Sequence, residues 1–137
     1  MAARCARGAR HPRTIRPVVC DVAAAARKAD SMHASCASLM SRLPGPDGER
    51  FVQALAHGSM TVELYAPVGT DPQLPHEQDE LYFIIAGSGD FVCGAERTPF
   101  AANMVFFVPA GVVHRFEHFS PDFATWVVFW GPGGGEP

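Results

Sequence analysis

The sequence predicts an all-β sandwich or barrel led by one short helix, and three observations carry that expectation. Eight segments of four to eight residues, rich in β-branched and aromatic side chains, follow one another from residue 51 to residue 130. Turn signals separate them at a spacing that argues against βαβ units. The chain has 137 residues and 47% apolar content, enough for one compact domain around one core, and no internal repeat suggests a second.

Taken in order, residues 1 to 17 place arginine at every third position without an acidic residue and without an apolar helical face. Residues 1–29 are therefore expected to be a disordered basic tail. No apolar central region follows the basic start, which argues against a secretory signal; Met32, just before the first well-patterned segment, is a second candidate for the true start. From Asp30 and Ser31, a plausible N-cap, Met32, Cys36, Leu39, Met40 and Leu43 recur at helical spacing until Pro44-Gly45-Pro46 stops the run. The spacing predicts a leading helix at about 31–43.

Strands are expected at Phe51–Ala56, Met60–Ala66, Glu80–Ala86, Asp90–Cys93, Arg97–Phe100, Met104–Val108, Val112–Phe119 and Phe123–Trp130. Gly87-Ser88-Gly89-Asp90 reads as a hairpin turn. Pro99 places its strand at a sheet edge or a bulge. The terminal GPGGGEP, residues 132–137 with Gly131, reads as a flexible tail, leaving 30–131 as the domain.

Charge is unevenly distributed. Residues 1 to 28 carry seven basic side chains against Asp21, a net +6, and the rest carries four basic and thirteen acidic ones, a net −9, giving −3 for the chain. A body this acidic does not suit nucleic acid, and the basic head lacks interleaved aromatic residues. The apolar runs are far shorter than a membrane span. Cys5, Cys20, Cys36 and Cys93 form no CxxC pair, so a reducing cytoplasm is the simplest setting. Cys93 reads as a packed strand residue rather than a reactive thiol.

The stretch from Gly69 to Gly94 carries the chemistry. Pro75 rigidifies the approach to His76, and Glu80 opens the strand Leu81 to Ala86. Fully extended, His76 and Glu80 would stand roughly 13 Å apart, so a bend over Glu77-Gln78-Asp79 is needed for both to reach one ion. Thirty-four residues later His114 follows the turn Pro109-Ala110-Gly111 near another strand start. Two histidines and one carboxylate beside turns are the ligand set of a mononuclear site with open positions. Gln73 and Gln78 each offer an amide oxygen, or are ordinary loop residues. Tyr82 and Ile84 share the inward parity of Glu80, with core packing and a hydroxyl in the pocket as the two readings of Tyr82. His118 is too far along the strand to join His114 on one ion, Arg115 reads as solvated or paired, and His57 as a surface turn residue.

Here the chain resembles the cupins, whose two motifs have the forms G-x5-H-x-H-x(3,4)-E-x6-G and G-x5-P-x-G-x2-H-x3-N. Glu80 and Gly87 fall in register with the first motif, His76 takes its second histidine, and Leu74 stands at its first. Pro109, Gly111 and His114 match the second motif, with Asn103 for its opening glycine and His118 for its closing asparagine. Asn103 is a tolerable replacement because asparagine enters the left-handed region readily. The resemblance covers roughly residues 49 to 131. It implies a jelly-roll barrel, also called a double-stranded β-helix, with His76, Glu80 and His114 holding a divalent iron, manganese, nickel or zinc ion. It further implies a small-molecule substrate or ligand, homodimerisation, and chemistry of the dioxygenase, isomerase or lyase type. Glu80 is read as a ligand rather than a general base. The alternative from another class is a non-catalytic barrel that binds a small ligand or a partner protein, which Leu74 favours.

Overall fold

The computed structural model describes residues 32–137, so the basic tail and the proposed cap at Asp30 and Ser31 lie outside the described residues. Helix α1 is shorter than its sequence pattern suggested, spanning only Cys36–Met40. Ser35, with extended backbone, caps it by accepting from the Ser38 amide at 3.3 Å. A serine this well placed takes over as the cap and leaves Met32 outside the helix. Leu39 alone is buried from the expected stripe.

All eight strands form where the sequence placed them, with ends moved by a few residues at most. They are β1 (Phe51–His57), β2 (Met60–Tyr65), β3 (Asp79–Ala86), β4 (Ser88–Cys93), β5 (Glu96–Ala101), β6 (Val105–Val108), β7 (His114–Glu117) and β8 (Ala124–Trp130). Every pairing is antiparallel. A five-stranded sheet runs β1-β2-β8-β3-β6 and a three-stranded sheet runs β5-β4-β7. The sheets are not closed on each other by a hydrogen-bonded ladder, so the expected barrel is two facing sheets. Tyr65, Tyr82, Val108 and Val127 from the larger sheet meet Phe91, Phe100 and Phe116 from the smaller in one aromatic-rich core. Pro99 lies on β5, an edge strand, where its missing N–H costs no ladder bond.

The Gly87-Ser88-Gly89 turn is not a hairpin. It is the corner at which the chain leaves the larger sheet and enters the smaller, since β3 pairs with β6 and β8 while β4 pairs with β5 and β7. Gly87 has φ +89°, and a Cβ on it would sit 2.6 Å from the Phe123 Cα, so both conformation and space require glycine. Asn103 has φ +69° and His118 φ +51°, so the two stand-ins for the motif residues both adopt left-handed backbone.

The C-terminal segment, expected to be a flexible tail, folds back on the domain. The Glu136 amide donates to Asp79 Oδ2 at 2.8 Å and the Gly134 amide to the Glu77 carbonyl at 2.7 Å. Asp79 also accepts from the Ala110 amide at 3.0 Å, and so ties together the tail, the start of β3 and the turn before β7.

Candidate metal centre

Three local events bring His76, Glu80 and His114 together. The chain bends at Glu77 and Gln78 before β3 begins, which supplies the contraction that an extended segment would lack. The Gly111 amide donates to the His76 carbonyl at 2.7 Å, docking the turn before β7 onto the His76 loop. His114 then starts β7 with its ring inside, 2% exposed, and Glu80 is 1% exposed on the inner face of β3. One ligand atom from each of the three residues lies within 4.8 Å of the others. The individual separations are 2.9 Å from His114 Nε2 to Glu80 Oε2 and 3.8 Å from His76 Nε2 to Glu80 Oε1. The His76 ring stands edge-on to Phe129 at 4.7 Å between centroids, which fixes its plane.

Proton positions follow from a chain of hydrogen bonds. Asp71 accepts from the Tyr65 hydroxyl, the Gln73 amide N–H, the Gln73 side chain (2.6 Å) and the Phe116 amide (2.7 Å). A carboxylate only accepts, so Gln73 must turn its NH2 toward Asp71 and its oxygen toward Tyr82. Tyr82 therefore donates to Gln73 Oε1, at 2.6 Å, and its hydroxyl presents only lone pairs to His114 Nε2, 3.0 Å away. His114 Nδ1 lies 2.7 Å from the Val112 carbonyl and must donate to it. In the neutral ring, Nε2 then carries a lone pair facing the oxygens of both Glu80 and Tyr82. Neither Glu80 oxygen finds a partner of hydrogen-bonding geometry, although both are fully buried. Lone pairs converging in a buried space require a cation, either a proton or a metal ion.

The titration behaviour agrees. Burial opposes charge on His114, but the adjacent Glu80 carboxylate and the Val112 carbonyl outweigh it, and its pKa is raised. Burial lowers the pKa of His76, with Glu80 opposing and His114 assisting. Burial, and then Glu80, holds the Tyr82 hydroxyl well above its ordinary value, so it stays protonated. Cys93, the cross-strand neighbour of His114, is also raised, by burial and then by Glu96 and Glu80, which fits a packed thiol.

Of the further ligand candidates, Gln73 and Tyr82 are at the site and Gln78 is not. Gln78 donates to the carbonyls of Ser59 (3.1 Å) and Gly131 (2.8 Å), pinning the β1–β2 turn to the end of β8. Its parity with Glu80 fails because the bend at this point rotates the backbone. Leu74, at the position of the motif's first histidine, is exposed. His118 is exposed and pairs with Asp90 at 3.1 Å, and Arg115 pairs with Glu117, both outside the cluster.

Beside the cluster lies a cleft of about 410 Å³ whose walls are Phe51, Pro72, Val127 and Phe129, with Glu63, Tyr65 and Gln73 among its polar lining. Glu63 and Asp71 were not singled out by the sequence. Glu63 shares the face of Tyr65 on β2, and a carboxylate at an inward position of a strand is a signal that strand parity offers. Burial, with Glu80 adding to it, pushes Glu63 up to about 7. Asp71 had no such signal, since it sits in a connection without periodicity. Asp71→Ala removes the acceptor of four donors. A loss of about 3 kcal/mol is expected, together with a roughly tenfold loss of metal affinity as Tyr82 and Gln73 reorient. Thermal denaturation and metal titration measure the two.

Fold and site together define a two-sheet, jelly-roll β protein with a buried N,O,N cluster opening on a small cleft. The chain belongs to the cupins: a family model described as the cupin domain matches residues 61–130. It is 46% identical over 81 residues to an uncharacterised protein of Streptomyces coelicolor, a match covering 58% of this chain and 77% of that one. Among solved structures it resembles the protein TT1209 of Thermus thermophilus, with TM-score 0.54, 23% identity and 66% and 88% of the two chains covered. It also resembles a cupin protein of Bacteroides fragilis, with TM-score 0.50, 19% identity, and 65% of this chain and 82% of that one covered. At these identities the structural likeness speaks for the fold alone. It supports the jelly-roll barrel assignment for the two facing sheets.

Proposed function

We propose that this cupin binds one divalent first-row metal ion at His76, Glu80 and His114 and acts on, or senses, a small organic molecule in the adjoining cleft. The observation that supports this most is the pair of buried Glu80 oxygens without a donor, set against the lone pair of His114 Nε2. Imidazole nitrogens and a carboxylate suit iron, manganese, nickel or zinc. When bound, such an ion polarises a substrate oxygen. The chain's own residues do the rest. Val112 fixes the His114 tautomer, the Asp71–Gln73–Tyr82 relay keeps the Tyr82 proton away from Nε2, and Phe129 orients His76. Phe51, Pro72 and Val127 keep water from the apolar side of the cleft. Isomerase, lyase or dioxygenase chemistry all belong to this reading. The rival, a metal-poor binding module, is favoured by the solvent-facing Leu74, which leaves three protein ligands.

A proton and the metal compete for the same lone pairs, chiefly at His114, whose pKa is raised, and less at His76, whose pKa is lowered. Metal content is therefore expected to be full near pH 8 and to fall steeply toward pH 5, with proton release on binding. Elemental analysis across that range tests the reading, and metal content that stays flat, or that never exceeds about one-tenth per chain, removes it.

The proposal extends to a homodimer. On the outer face of the larger sheet, Val105, Phe83 and Trp126 lie in one cross-strand row and Phe107, Leu81 and Val128 in the next. Phe83, Val105 and Phe107 are exposed there, an apolar patch that a second copy would cover. Phe83→Asp is expected to turn the dimer into a monomer in sedimentation velocity, without loss of metal. The free thiols of Cys36 and Cys93 support a reducing, cytoplasmic setting. No helix among the described residues is long and apolar enough to cross a membrane.

A further inference from the structure

Glu63 is the charged residue of the cleft that the metal reading leaves without a role. It projects from β2 on the face it shares with Tyr65, and its cross-strand neighbours, Gln53 on β1 and Val127 on β8, carry no charge. The titratable groups that face the same cleft are Tyr65 from β2, His76 from the loop before β3 and Glu80 from β3. No lysine or arginine among the described residues lines it. Among the described residues, the ion pairs that arginines form are on the far sheet, where Arg97 and Arg115 are matched to Asp90 and Glu117.

We propose that the cleft takes a small neutral or cationic molecule with an apolar body, that it disfavours organic anions, and that Glu63 is the residue enforcing this choice. Two independent observations carry it. The first is charge. A divalent ion on the triad with Glu80 leaves one positive charge, which alone would draw anions; Glu63 cancels it. Without the ion the balance is more negative still, so an anionic ligand meets repulsion from Glu63 in either state.

The second is the shortage of uncommitted donors for an anion. The Tyr65 hydroxyl and the Gln73 amide both face the cleft, and both already donate to Asp71. A carboxylate or phosphate entering here would lose its water and find the Tyr65 proton and one Gln73 N–H already given to Asp71. Only neutral donors are left, the second Gln73 N–H and the His76 imidazole, and among the described residues no lysine or arginine lines the cleft to offset the cost. An amine or hydroxyl finds the opposite. Its N–H or O–H meets Glu63, which has acceptor capacity, while its carbon skeleton packs on Phe51, Val127 and Phe129. The raised pKa of Glu63 agrees, since a buried carboxylate beside a second one is stabilised by an incoming cation.

This deepens the proposed function and rests on it only for the ligand's location. The test uses the full chain, zinc-free and zinc-loaded, at about pH 8, with benzylamine, benzyl alcohol and benzoate as isosteric probes followed by NMR titration. In the zinc-free protein, benzylamine and benzyl alcohol are expected to bind about tenfold tighter than benzoate. Glu63→Gln, nearly isosteric, should shrink the benzylamine-to-benzoate ratio about tenfold in both forms while zinc content stays at the wild-type level. Benzoate binding as tightly as benzyl alcohol to the zinc-free protein, a ratio unchanged in Glu63→Gln, or no perturbation of cleft resonances by any probe overturns the proposal. If the charge order holds but zinc does not bind, the metal reading fails and this one stands. If zinc binds without the charge order, the reverse is true.

Discussion

Glu80→Gln is expected to strip the protein of its metal and yet to leave the metal-free fold more stable. The carboxylate is 1% exposed, its oxygens lack donors, and His114 Nε2 faces it at 2.9 Å. A buried charge without hydrogen bonds is costly, and its replacement by an amide of the same shape removes the charge and supplies an N–H that can donate to Nε2. The gain should be about 1 to 3 kcal/mol in thermal or denaturant unfolding with chelator present, at a pH that leaves His114 neutral. It should narrow as pH falls. The raised pKa of His114 means that the folded state takes up a proton before the unfolded chain does, so the His114–Glu80 pair adds stability at low pH and loses it as pH rises through the folded pKa. His114→Ala should also lose the metal but destabilise by about 3 kcal/mol, since it takes away the imidazole nearest the buried Glu80 and leaves only that of His76, 3.8 Å away. Bound metal near one per chain in Glu80→Gln would contradict the assignment of Glu80 as a ligand.

The second large effect is expected at Glu63. Its pKa is pushed up to about 7 from the ordinary 4.5, first by burial and then by Glu80. Between those values the folded protein holds a proton that the unfolded chain has released, so stability falls as pH rises through this window and stays low above it. Glu63→Gln carries no such dependence. In metal-free protein it should match the wild type near pH 4.5 and exceed it by about 2 kcal/mol at pH 8, a figure discounted because the cleft opens to solvent. Unfolding curves collected across that range read the difference directly. Identical pH profiles for the two proteins would mean that Glu63 is solvated rather than held in the cleft. A bound divalent ion should flatten the wild-type profile, because its charge favours the carboxylate.

Much of this was written in the order of side chains. The eight strands were legible because β-branched and aromatic runs of the right length stand between glycine, proline and asparagine turns, and each turn residue acts through its own backbone preference. His76, Glu80 and His114 were legible because each adjoins such a turn, and Asn103 because its left-handed φ is a property of asparagine itself. The helix was overdrawn for a related reason. Its Met and Leu spacing is real, but Ser35 caps locally and only Leu39 finds a surface to pack on.

What the chain order could not decide is which polar groups face each other. Gln73 and Gln78 look alike in sequence, yet one meets Tyr82 and the other two backbone carbonyls 19 and 53 positions away. Asp71 became the hub of the relay only when Tyr65, Gln73 and Phe116 were brought round it from two sheets. Glu63 came to face Glu80 through the β2-β8-β3 order of the sheet. Local propensity acts over a few residues and so sets strands and turns. Proton placement, burial and charge coupling act across space, and only the packed fold fixes those distances.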